Sequence, residues 1–167
     1  MTDTLSMTLT DEALAELKVR SFTLPLNRMK LLLPSTVIAE VLENKDVEPA
    51  GHMPEWLLGM LPWRGRSVPL FCFEKLLGQE QAKRSESTRI VVLNTLSGSG
   101  RIPFMAIQIE GMPQLQMVTH AMLTVGNEAD DRQPAVQAHL LLLGEKVIVP
   151  NLDAMEKMLE HLGVSAD

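Results

Sequence analysis

In Gly59-Met60-Leu61-Pro62-Trp63-Arg64-Gly65-Arg66-Ser67-Val68-Pro69-Leu70-Phe71 an apolar approach ends in an Arg-Gly turn, and a short strand then departs through Pro69. Gly65 can take backbone angles that side chains disfavour, so it can make the turn. Arg64 beside it is placed to project from a loop tip, where a planar guanidinium can pair bidentately with a carboxylate. The plainer reading is an ordinary turn with a solvated arginine, since exposed charge is the default.

Outward from this stretch the pattern is one of short strands. Upstream, Trp56 to Leu61 is expected as a turn or short helix, and Asn44 to Pro54, with Asn, Asp, Gly and two Pro, as an exposed loop. Val37 to Leu42 reads as a strand. Before it, Arg20 to Leu26 and Met29 to Leu33 form a hairpin about Leu26-Asn27-Arg28, with Phe22, Leu24 and Leu26 on one parity and Pro34 as the stop. Residues 1–18 hold a short helix, capped by Thr10 and carrying Leu14 and Leu17.

Downstream, Ser67 to Phe73 is a strand, and Gln79 to Ser87 is a polar junction between two halves. Thr88 to Asn94 and Arg101 to Ile109 pair around Leu96 to Gly100, with Pro103 expected at an edge or bulge. Gln114 to Val118 and Met122 to Val125 are weaker strands, and Gly126 to Pro134 is an acidic loop. Val136 to Leu143 and Lys146 to Val149 are expected to meet through a type II′ turn at Gly144-Glu145. A helix capped by Asn151 follows, with Leu152, Met155, Met158, Leu159 and Leu162 at helical spacing and Gly163 as its terminator. No sequence repeat appears. About ten short strands with helices near the ends predict a mainly β, barrel-like fold.

Composition narrows the function. The 167 residues are 46% hydrophobic and 22% charged, which suits one folded domain or two subdomains sharing a core. The first ten residues lack a basic n-region and an apolar stretch, so no signal peptide is expected. A lone Cys72 suits a reducing compartment, and the expected location is the cytoplasm. A net charge of −6, with only 4% aromatics, argues against nucleic acid as a partner.

Reactive groups do not converge. His52, His120, His139 and His161 lack zinc spacing to one another or to Cys72. Cys72, between Phe71 and Phe73, is expected as a small core residue rather than a nucleophile. Ser97-Gly98-Ser99-Gly100 lacks the nucleophile elbow and the phosphate-loop lysine, and Glu128, Asp130 and Asp131 do not fit a calcium loop. No enzyme, metal or cofactor is expected.

The opening stretch resembles the signature of CheW-like domains, the adaptor modules of bacterial chemosensory systems. That pattern is Gly, four residues, Arg-Gly, three residues, Pro and an apolar strand, matched here by Gly59, Arg64, Gly65 and Pro69. Arg20 to Leu42 resembles the family's opening hairpin and following segment. Pro54 to Gly59 resembles the lead into the signature, Thr88 to Leu93 the strand opening the second half, and Lys146 to Leu159 the last strand and a helix starting at Leu152-Asp153. Cys72 stands where the family usually has an acidic residue, and Pro62-Trp63 where Asn-Leu is common. Both departures suit a divergent adaptor; systems steering pilus-driven surface motility also use such adaptors.

The resemblance implies two intertwined five-stranded β-barrels sharing a hydrophobic core over 19–162, with their junction near 79–87 and a tail at 163–167. It implies a non-catalytic adaptor recruited to membrane receptor arrays. One surface would hold a chemoreceptor's cytoplasmic tip and another a histidine kinase's regulatory domain. Arg64, Trp63 and Gly65, extended by Met60 and Leu61, are the expected contact residues. The alternative is a small-molecule-binding β-barrel, which requires a cavity of a few hundred cubic ångströms.

Overall fold

A computed structural model describes residues 18–49, 51–95, 102–126 and 133–164. The expected N-terminal helix, the Leu96 to Gly100 tip, most of the acidic loop and the last three residues lie outside this set.

The alternation around Phe22 produces β1 (Lys18–Leu26), which turns at Asn27-Arg28 into β2 (Met29–Pro34). A short 3-10 turn over Ser35–Val37 leads to β3 (Ile38–Glu43), and the loop after it returns as β4 (Leu57–Trp63) and β5 (Arg66–Phe71). One helical turn, α1 (Phe73–Leu76), precedes β6 (Arg89–Asn94) and β7 (Phe104–Ile109). The chain continues as β8 (Gln114–Thr119), β9 (Leu123–Val125), β10 (Val136–Leu142) and β11 (Glu145–Pro150), and ends in α2 (Leu152–His161).

The strands form two sheets, ordered β8-β1-β2-β11-β10-β9 and β3-β6-β7-β5-β4. Both curl toward closure. In the five-stranded sheet Glu40 on β3 reaches Trp63 on β4, though these strands lie at opposite ends of the order. In the six-stranded sheet the outermost strands β8 and β9 are joined by the short turn His120–Met122.

With β9 set aside, the two orders coincide: β1 and β2 correspond to β6 and β7, β8 to β3, and the β10–β11 hairpin to β4–β5. The parallel pairings β11–β2 and β5–β7 correspond as well. Each sheet takes strands from both sides of residues 79–87, so this polar segment does not divide one barrel from the other. The chain changes sheets at Ser35–Val37 and between Ile109 and Gln114.

Curling gives central strands such as β6 and β7 two apolar destinations, which explains their nearly continuous hydrophobic runs. On β6, Val91 and Leu93 enter the central core between the sheets, with Leu24, Leu31, Phe71 and Ile107. Ile90 and Val92 instead fill the five-stranded barrel with Leu61, Trp63, Val68 and Leu70. The six-stranded barrel is filled by Leu32, Val118, Leu142 and Val147. In α2, Asn151 Oδ1 accepts the Ala154 N–H at 3.0 Å, and Leu152, Met155 and Leu159 close the central core.

Several sequence expectations are corrected. Of Trp56 to Leu61 only Trp56 lies in a turn, and the rest is strand, not helix: β4 alternates inward Leu57, Gly59, Leu61 and Trp63 with outward positions. Gly59 and Pro62 hide that period, and Pro62 is tolerated because β4 is an edge strand whose outer N–H groups need no partner. The strand expected to reach Phe73 stops at Phe71, and Cys72 leads into α1. Pro103 precedes a central strand rather than an edge, and its carbonyl accepts the Thr95 N–H at 3.1 Å. The last hairpin turns one residue early, at Leu143-Gly144. Its φ values of 50° and 84° mark a type I′ turn.

The β1–β2 turn is strapped to the other subdomain. The buried Glu74 carboxylate accepts the Asn27 N–H at 3.0 Å and the Cys72 thiol at 3.6 Å, and Asn27 Nδ2 donates to Glu80 O at 3.2 Å. Burial pushes the Cys72 thiol up to about 12, helped by the Glu74 charge, so at neutral pH it is an inert core thiol. Burial first, and the Glu74 charge second, also raise Glu110, while the Thr88 hydroxyl opposes the shift.

A carboxyl raised in the folded state favours folding while protonated and loses that contribution as pH rises from its ordinary value of 4.5 through the folded value. Glu110→Gln is therefore expected to melt higher than the parent at pH 7, with the gap closing as the pH approaches 4.5. Thermal denaturation of both proteins across that range checks it; a gap that widens on acidification would contradict the assignment.

Candidate functional site

The turn between β4 and β5 is the type I′ pair Arg64-Gly65, with φ values of 49° and 74°. Such a turn follows the right-handed twist of its strands, and it puts Arg64 at the hairpin tip. Gly59 is needed for a different reason. Its φ is 150°, and a Cβ there would overlap the backbone carbonyl oxygen of Glu48, where the returning loop bridges to Met60. Pro69 fits because the ladder to β7 starts one residue later, at Leu70.

The signature therefore brings an edge hairpin against β3. Glu40 Oε1 accepts the Trp63 indole N–H at 3.2 Å and the Arg64 guanidinium at 2.8 Å. The same guanidinium lies 4.9 Å from the Trp63 ring centroid, within cation–π range. Trp63 packs edge-on against Phe104 at 4.8 Å, and Arg66 covers Phe104 at 5.5 Å. The result is two cations on a supported aromatic pair, with one carboxylate orienting Arg64 and Trp63. Among the described residues only one guanidinium nitrogen of Arg64 is engaged, and its side chain is 69% exposed, leaving other donors for an incoming acceptor.

Of the expected contact residues, Arg64 and Gly65 are exposed and Met60 is half-buried. Leu61 is inaccessible and Trp63 only 8% exposed, so these two have almost no surface to offer a partner and instead hold the hairpin in place. Glu40, Arg66 and Phe104 did not emerge from the sequence as site residues. Glu40 lies inside the segment that resembles the family's, and its proximity to Trp63 depends on closure of the sheet.

A CheW-like domain model matches residues 20–160. The chain belongs to the CheW-like domain family. Its fold is similar to the crystal structure of the scaffolding protein TtCheW from Thermoanaerobacter tengcongensis, with a TM-score of 0.68 and 14% identity over 81% of this chain and 90% of that one. None of the curated proteins compared matches it. At that identity the shared property is the fold: mainly β, in two sheets. Among the described residues of this CheW-like domain no group of three His, Cys, Asp or Glu could hold a metal ion, and no helix is long and apolar enough to cross a membrane.

Proposed function

We propose that this CheW-like domain is a non-catalytic adaptor of a bacterial chemosensory pathway, joining a receptor's cytoplasmic tip to a histidine kinase's regulatory domain. Family membership and the two-sheet fold support an adaptor role in chemotaxis. Coupling of this kind needs surfaces whose contacts differ between signalling states, and no bond-making chemistry. The observation that carries the reading is Arg64, held on Trp63 by Glu40 yet largely exposed. A pre-oriented arginine beside buried aromatics is a typical interface anchor.

The small-molecule alternative finds little support, because Leu61, Trp63, Leu70 and Ile90 fill the interior of the five-stranded barrel.

Arg64→Ala is expected to weaken binding to a receptor cytoplasmic fragment or to the kinase regulatory domain by about tenfold or more. The melting temperature should stay within a few degrees, since exposed ion pairs contribute little to stability. Titrations with each purified partner check this. Unchanged affinity for both would remove Arg64 from the interface.

A further inference from the structure

The chain is acidic overall, yet one groove is basic. A cleft of about 260 Å³ is lined by Arg28, Met29, Lys30, Leu77, Gln79, His139 and Lys146 together with β11 residues. A second, of about 350 Å³, shares Arg28, Met29, Lys30 and Lys146 and extends past Pro25 and Glu145. Shared walls make the two one elongated groove, reached from both subdomains: α1 and its following segment on one side, β1–β2 and β10–β11 on the other. Glu145 is the carboxylate on the rim, and Lys30 already pairs with it at 2.6 Å. Among the described residues no carboxylate pairs with Arg28.

The Arg28 position is set by its neighbour. Asn27 is bonded through both its N–H and its side-chain amide to Glu74 and Glu80, and Arg28 follows with φ at 63°, a conformation arginine rarely adopts. The exposed cation is thus mounted on an anchored turn.

We propose that this groove binds an acidic, partly apolar peptide segment of a partner protein. Charge complementarity selects the acidic character: Arg28, Lys30 and Lys146 outnumber Glu145 along the lining, while the whole chain carries a net charge of −6. Half-buried Met29 and Ile148 on its wall give aliphatic side chains of a peptide a place to rest and offer nothing to a bare inorganic anion. The elongated form suits an extended chain. None of the groove's lining residues belongs to the Arg64 hairpin, and the proposal stands independently of the adaptor reading.

The test is fluorescence anisotropy with a short labelled peptide alternating Glu and Leu, beside a matched peptide with Lys for Glu. The acidic peptide is expected to bind the full chain at low ionic strength and to weaken as salt rises. Arg28→Gln with Lys146→Gln should lower affinity about tenfold. Arg28→Gln alone, at an exposed position, should move it in the same direction, and Arg84→Gln, outside the groove, should leave it unchanged. Equal binding of both peptides would overturn the proposal, as would full affinity in the double variant. Displacement of the peptide by inorganic phosphate or ATP would do so too, by marking a small-anion site.

Discussion

Gly59→Ala is expected to destabilise the protein by more than about 3 kcal/mol, the range reserved for a buried backbone clash added to a forbidden conformation. At a φ of 150° an alanine is already strained, and its Cβ would overlap the Glu48 carbonyl oxygen. Backbone cannot step aside as a flexible side chain can. Relief would require moving the loop bridge at Glu48 and Met60, and with it the start of β4. Gly65→Ala is the control. Its φ is 74° but nothing lies within 4 Å of the added carbon, so only conformational strain remains, about 1 kcal/mol. Urea unfolding of the two variants separates the cases. Equal midpoints for Gly59→Ala and Gly65→Ala would mean that the close approach does not exist in solution.

Trp63→Ala is expected to lose both stability and partner binding. The ring is nearly buried, and truncating such a side chain costs about 3–5 kcal/mol. Its removal also withdraws the edge contact to Phe104 and the platform beneath Arg64. Trp63→Phe should keep most of the packing while losing the indole donor to Glu40, at a cost of about 1 kcal/mol. Denaturation paired with partner titration reads the two effects apart. Arg64→Ala should affect binding almost alone, Trp63→Ala both, and a Trp63→Ala protein as stable as its parent would place the ring outside the core.

Local features were legible where a single physical rule decided them. The Asn151 cap, the Leu152–Met155–Leu159 stripe and the Gly163 terminator were all predictable, because helix ends and faces depend on neighbours within a turn. The β1 parity was readable for the same reason. The twofold correspondence of the strands was not, since it lies in pairing order and leaves no repeat in the residues. Nor was β4, where Gly59 and Pro62 interrupt a period that the backbone nevertheless keeps.

The stretch from Gly59 to Phe71 separates the two kinds of information. By itself the sequence determined that a tight turn occurs at Arg64-Gly65, that an arginine sits at its tip, and that the order of flanking segments is that of CheW-like domains. Only the tertiary structure decided what the turn rests on. Glu40 lies 24 residues earlier, on a strand at the far end of the same sheet, and meets Arg64 only because that sheet curls round. Likewise Gly59 is required by Glu48, and Trp63 is buried by Phe104, neither of which is adjacent in the chain. Turn geometry is set by angles at two residues and can be read locally. Burial and partnership are set by closure of the whole sheet.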